Sequence, residues 1–388
     1  MRKILLIIFI FTYSCVHKTS NESLEKLNNK FISLNLKNNP ISVALMCPKK
    51  FKENIVYLNY GSIKKEQEIM PDENSIYEIG SLTKLYLAAL TIQQVEKGNI
   101  SLEDSIAKYL SNIPSDWQDI KIKNLLNMTS GIPSHFGSAN LYSIENFHSY
   151  MLNPYQYFDK DLIIQKILTQ KALFKSGIAW DYSNINYLLI GIILEKITGK
   201  KLDKIFKENI SEKLNLRNTY FVNHFIRDEI PKNKIDTLVE GYPSIENYLD
   251  KINANTFSLS VVWGAGNIIS STKDVHIFIT SFFNKDGKLF LQKNTYELFK
   301  NYFFEIVSYN LSNYFNSNKY SLGVFAQTNE VTGLTDYLHT GGIPGYNSLF
   351  LINPSTKVSY CLLTGSLNSD EFTNLVKGIH DFINHECF

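Results

Sequence analysis

Cysteine, charge of one sign and long apolar runs are all scarce in this 388-residue chain, and each shortage excludes something. The four cysteines, Cys15, Cys47, Cys361 and Cys387, are too few and too scattered for a disulfide framework. Cys47 and Cys361 lie in β-like runs and read as two buried thiols. No Cys/His spacing resembles a zinc site, and neither His135 nor His339 stands beside other ligand residues, so neither metal nor cofactor is expected. The net charge of +2, with no basic stripe, argues against a nucleic-acid partner. No apolar run reaches the roughly 20 residues that span a bilayer, and no internal repeat is visible.

What is present describes a globular protein: 44 % hydrophobic and 20 % charged residues, in a chain long enough for a large core. It opens with Arg2 and Lys3, the short apolar run Ile4–Phe11, and Thr12-Tyr13-Ser14-Cys15. That resembles a bacterial lipoprotein signal, although Thr12 stands where a leucine-like residue is preferred. The resemblance implies a signal peptide over 1–14, lipidation of Cys15, and a linker with a helix over 15–36. Plain secretion and an uncleaved anchor are the alternatives. All three export the protein; the first makes it a cell-envelope lipoprotein held to the membrane by its lipid.

From residue 37 the pattern is that of an α+β domain. A helix is expected over Ser23–Leu36, then strands at Ile41–Cys47 and Asn54–Tyr60. The middle reads as mostly helical, its clearest helix Ile185–Ile197 closed by Thr198-Gly199. Strands return at Tyr320–Ala326, Tyr337–Thr340, Tyr346–Ile352 and Val358–Thr364, with a hairpin turn at Asn353-Pro354-Ser355-Thr356 and a last helix over Ser369–Ile383. The expected architecture is one antiparallel sheet built from both termini and flanked by helices, with a helical subdomain inserted over about 95–284.

Three short constellations carry chemistry. Ser-x-x-Lys occurs five times, at Ser23, Ser62, Ser81, Ser105 and Ser270. Only Ser81 follows a glycine after an extended stretch, Ile76–Ile79, and opens a long apolar helix. Three residues apart on a helix, the Ser81 hydroxyl and Lys84 amine share one face. A serine needs a base to become a nucleophile, and a lysine can serve once desolvation lowers its pKa. Ser271 reads instead as a helix N-cap, with Asp274 completing a capping box. The second constellation is Tyr182-Ser183-Asn184 at the start of the apolar helix; Tyr-x-Asn also occurs at Tyr57 and Tyr314. There a phenol can relay protons and a carboxamide can hold an amide. The third is His339-Thr340-Gly341-Gly342, where glycines at a strand end let a substrate come close and Gly342 offers an N–H to an oxyanion. Lys175-Ser176-Gly177 is a rival, set aside because it falls in a loop five residues before Tyr182.

In this order the three resemble the serine β-lactamase and penicillin-binding-protein superfamily, whose Ser-x-x-Lys motif is well defined. The Tyr-x-Asn variant points to the class C branch of β-lactamases, D,D-carboxypeptidases, D-aminopeptidases and esterases. The likeness covers about Ile41 to Ile383. Leu125–Pro133 is similar to the family's Leu-Leu-x-His-Thr-Ser-Gly segment, with Asn127-Met128 replacing the usual histidine before Thr129; Ser176 replaces a common proline, and His339 replaces the class C lysine. The resemblance implies an acyl-enzyme on Ser81, proton shuttling by Lys84 and Tyr182, oxyanion binding by the Ser81 and Gly342 N–H groups, and substrate contacts from Asn184, His339, Thr340 and Gly341. Cell-wall D-alanyl peptides or related amides and esters are the implied substrates. A carboxylesterase and a catalytically weak penicillin-recognising scaffold are the alternatives. An imidazole at position 339 titrates near pH 6.5, unlike the permanent cation of a lysine, which weakens the β-lactamase reading more than the hydrolase reading; it is expected to pair with a carboxylate only if the substrate bears one next to the scissile bond. The aromatic stretch Tyr142–Phe158 reads as subdomain core, with a roof over the site as its rival.

Overall fold

The structure, a computed structural model, describes residues 24–29, 36, 39–134, 153, 155–243, 252–284, 287–291, 295–310 and 316–388. Cys15, His135 and most of the aromatic stretch therefore lie outside the described residues. Of that stretch, Tyr155 and Tyr157 are exposed while Phe158 is buried.

Eight antiparallel strands form the main sheet. The first two, β1 (Ile41–Met46) and β2 (Ile55–Tyr60), come from the start of the chain. A second sheet takes β3 (Tyr77–Glu78), β4 (Tyr220–Phe221) and β5 (Ile268–Ser270) in the order β3-β5-β4. The remaining six strands come from the end of the chain: β6 (Phe304–Asn310), β7 (Asn316–Tyr320), β8 (Phe325–Thr328), β9 (Thr335–Ile343), β10 (Tyr346–Asn353) and β11 (Val358–Gly365). The main-sheet order is β2-β1-β11-β10-β9-β8-β7-β6, so the two ends of the chain meet where Val43 pairs with Leu362. All eight residues of β11 are buried, as befits a strand covered on both faces. This is the expected antiparallel architecture.

Four helices longer than ten residues stand among the described residues: α1 (Thr83–Glu96), α2 (Asn184–Thr198), α3 (Thr272–Phe282) and α4 (Ser369–Glu386). Helix α1 is buried from Thr83 through Gln94, which explains an apolar sequence with no polar face. Gly199 ends α2 in the left-handed conformation. Helix α3 lies against β11 and β1, while α4 buries Phe372, Leu375, Val376, Ile379, Phe382 and Ile383, one stripe at helical spacing.

Four expectations change. The run Tyr320–Ala326 is not one strand: Ser321 N–H donates to Val324 O in a tight turn, with Gly323 at φ 82°, separating β7 from β8. The small sheet escaped notice because strands of two or three residues carry no alternation. Ser271 does cap α3, but Asp274 returns no bond to it; its Oδ2 accepts from Asn218 N–H and Thr219 Oγ1. Finally, Cys47 is no free thiol. It forms a disulfide with Cys387, joining the end of β1 to the end of α4, and only Cys361 remains a free buried thiol among the described residues. Chain-end proximity made this pair, and a separation of 340 residues hid it.

Candidate active site

Between β3 and α1 the chain makes a tight turn over Gly80–Leu82, and Gly80 takes φ 49°, a conformation that disfavours any side chain. Strand β9 passes directly over this turn. A Cβ at Gly341 would overlap Ile79 O and Ser348 Oγ and would stand 3.1 Å from Ser81 N. One at Gly80 would stand 3.1 Å from Gly342 N. Gly341 is therefore required by the close packing of β9 on the Ser81 turn, a reason the sequence did not show. Gly342 differs: a Cβ there would meet nothing within 4 Å, so this glycine faces open space. The pairing of β8 with β9 ends at Phe325–Leu338, and residues 339–343 run on beyond β8. Ser81 N and Gly342 N thus both lie at the contact between β9 and the Ser81 turn, an arrangement that can offer two donors to an oxyanion.

Lys84 lies one helical turn after Ser81. Its Nζ is 3.0 Å from Ser81 Oγ and donates to Ala265 O at 2.8 Å. The side chain is fully buried, and burial holds its pKa well below the ordinary lysine value. Ring faces surround the amine, with the Tyr182 centroid at 4.9 Å and that of Tyr187 at 5.7 Å. Among the described residues no carboxylate forms an ion pair with it. Ala265 sits in a turn that Asn267 secures, its Oδ1 accepting Gly264 N–H and its Nδ2 donating to Val222 O. A backbone carbonyl leaves no mark in a motif, so this ligand of Lys84 was invisible in the sequence.

Tyr182 and Asn184 are half-buried, one on each side of Ser183, the N-cap of α2. Asn184 N–H donates to Ser134 Oγ at 3.4 Å. Tyr182 reaches toward both other constellations: its ring lies beneath the Lys84 amine and 6.3 Å from the His339 ring. Ser81, Lys84, Tyr182, His339 and the two glycines therefore gather at one place. Lys175-Ser176-Gly177 is in a loop, where Gly177 N–H donates to Thr129 O.

His339 is not placed for an ionic role toward a substrate carboxylate. It is 1 % exposed, and burial, then the nearby Lys84, depress its pKa to about 3. Both ring nitrogens are already engaged inside the protein. Nδ1–H donates to the half-buried Thr340's carbonyl at 2.6 Å, and Nε2 lies 3.3 Å from the Tyr320 hydroxyl. Phe325 and Tyr320 close over the ring at 5.1 and 6.0 Å. A neutral imidazole with both nitrogens occupied offers a substrate neither charge nor donor.

Residues 52–377 match the beta-lactamase family model. The chain belongs to the beta-lactamase family. Among relatives, Protein flp of Staphylococcus aureus is 25 % identical over 350 residues, 87 % of this chain and 62 % of that protein. Among solved structures, a D-amino acid amidase from Ochrobactrum anthropi superposes with TM-score 0.75 at 19 % identity, covering 94 % of this chain and 98 % of that one. A beta-lactamase/D-alanine carboxypeptidase from Yersinia pestis gives TM-score 0.71 at 18 % identity, over 94 % and 97 %. These structures share the fold. That family is one of serine hydrolases.

Proposed function

We propose that the protein hydrolyses an amide or ester through an acyl-enzyme on Ser81. The observation that carries this reading is a fully buried lysine amine, its pKa lowered by desolvation, 3.0 Å from a half-buried serine hydroxyl at a helix entrance. Neutral Lys84 takes the Ser81 proton as Oγ attacks the carbonyl carbon. Tyr182, over whose ring that amine sits, gives its phenol proton to the leaving group and takes back the proton held on Lys84. The oxyanion rests on Ser81 and Gly342 N–H, and water then releases the acid. Asn184 holds the acyl amide.

The substrate that suits this site best is a D-amino acyl amide or peptide. An amidase of D-amino acid amides has this same fold, and an exported protein would meet cell-wall peptides. Neutral His339 favours substrates that need no cation beside the scissile bond over β-lactams and free D-alanyl carboxylates. A lipid on Cys15 would hold the enzyme at the membrane near such peptides.

The test is a panel: D-phenylalanine amide, a D-Ala-D-Ala peptide, nitrocefin and p-nitrophenyl esters, each with wild type and Ser81→Ala. The amide should turn over, and Ser81→Ala should lose at least ~10³-fold in kcat because nucleophile and base act together. Full turnover by Ser81→Ala would remove the reading.

A further inference from the structure

Met128 stands where the family segment has its usual histidine, and the Ser81 chemistry makes no use of it. It is fully buried, yet its backbone takes φ 63°, a left-handed conformation that is uncommon for a side chain of this size. Such an outlier persists only where its surroundings over-determine it. Here three bonds do so. Met128 O accepts Asp181 N–H at 3.0 Å. Its thioether Sδ accepts Ser183 N–H at 3.4 Å and Asn186 Nδ2 at 3.4 Å. The first two partners are the residues immediately before and after Tyr182, and the third lies two residues past Asn184. Ser130 Oγ holds the other end of the Asn186 carboxamide at 2.7 Å.

From this geometry we infer that Met128 is the positioning residue of the tyrosine loop, its carbonyl and sulfur fixing the backbone on either side of Tyr182 so that the phenol is held against Lys84. A thioether is a weak acceptor, but two donors converge on this one in a site away from solvent. Without it, Ser183 N–H and Asn186 Nδ2 lose a buried partner, and the loop relaxes toward other acceptors. The phenol then moves, and displacements of about 1 Å at such a group cost on the order of 10²-fold in rate. This inference rests on the acyl-enzyme reading of Ser81.

Two substitutions separate positioning from packing. Leucine places carbon at the same bond distance as Sδ and accepts nothing; histidine places Nδ1 there and restores an acceptor. The readouts are the rate constant for covalent labelling by a fluorophosphonate and, beside it, the thermal midpoint and the kcat and KM values for an amide substrate. Met128→Leu should label ~10-fold or more slowly, with the loss in kcat, while remaining folded. Met128→His should recover most of that loss. If Met128→Leu fails to fold, the comparison passes to Asn186→Leu, which removes one donor of the same clamp and should slow labelling in the same sense. Wild-type labelling rates in the folded leucine variant, or equal losses in leucine and histidine variants, would overturn the inference. A Ser81→Ala protein that still labels would instead show the acyl-enzyme reading at fault.

Discussion

At Lys84 a single desolvated amine meets a hydroxyl, a carbonyl and two ring faces, so its proton affinity is set by what surrounds it rather than by an ion pair. Lys84→Ala and Tyr182→Phe should each slow acylation strongly, and the double variant should fall well short of the product of the two losses, since both serve one proton path. Stopped-flow acylation rates of the four proteins decide this; multiplicative losses would leave one of the pair purely structural. His339 makes the opposite prediction. Because burial first and Lys84 second push its pKa down to about 3, the ring carries no charge to lose as pH rises through 6 to 7.5. The kcat/KM profile should therefore show no step between pH 6 and 7.5 that His339→Gln removes. A wild-type step near 6.5, absent in the variant, would restore the ionic role expected from sequence. Ser81 was legible because its signal is local: glycine before, apolar helix after. The neutrality of His339 was not, because Tyr320 and Phe325, which bury it, belong to other strands.

Strand β9 and the turn before α1 form the site's rigid frame, and the two glycines of β9 hold different places in it. Gly341→Ala would drive a methyl group into Ile79 O and Ser348 Oγ, pushing β9 off the Ser81 turn. Overpacking of this kind costs about 1–3 kcal/mol, and activity should fall much further than stability because both proposed oxyanion donors move. Gly342→Ala meets open space and should stay as stable as wild type in urea unfolding. Equal stability in both variants would contradict the close approach. From sequence the pair looked alike, both admitting substrate. Which glycine faces the protein depends on strand register, Gly341 opposite Ser348 and Gly342 opposite Asn347. The long elements were readable from periodicity and caps: α2 with its Gly199 stop, α4, β10 and β11. The β7–β8 turn was not, since Tyr320–Ala326 carries a strand-like apolar run through it.

On the scale of the whole molecule, the sheet is closed by strands from opposite ends of the chain, and the Cys47–Cys387 disulfide fastens that closure. Lys50 and Glu386 pair beside it at 2.5 Å. Reduction, or Cys47→Ser, should lower unfolding free energy by ~2–4 kcal/mol, the usual range for a disulfide that constrains the unfolded chain. Urea unfolding with and without dithiothreitol reads this directly, and coincident curves would show that the bond contributes nothing. The sequence could supply the sheet's composition from both termini, but not which cysteines the closure brings together.

The account turns on Lys84 being neutral beside Ser81, and the pH dependence of acylation tests that most directly. The rate constant for covalent labelling of Ser81 should rise with pH along a limb centred well below the ordinary lysine value of 10.5, and level off before it. In Lys84→Ala that limb should vanish along with most of the rate. A wild-type rate that keeps climbing tenfold per pH unit through pH 10, or a Lys84→Ala protein that acylates as fast as wild type, would contradict the account.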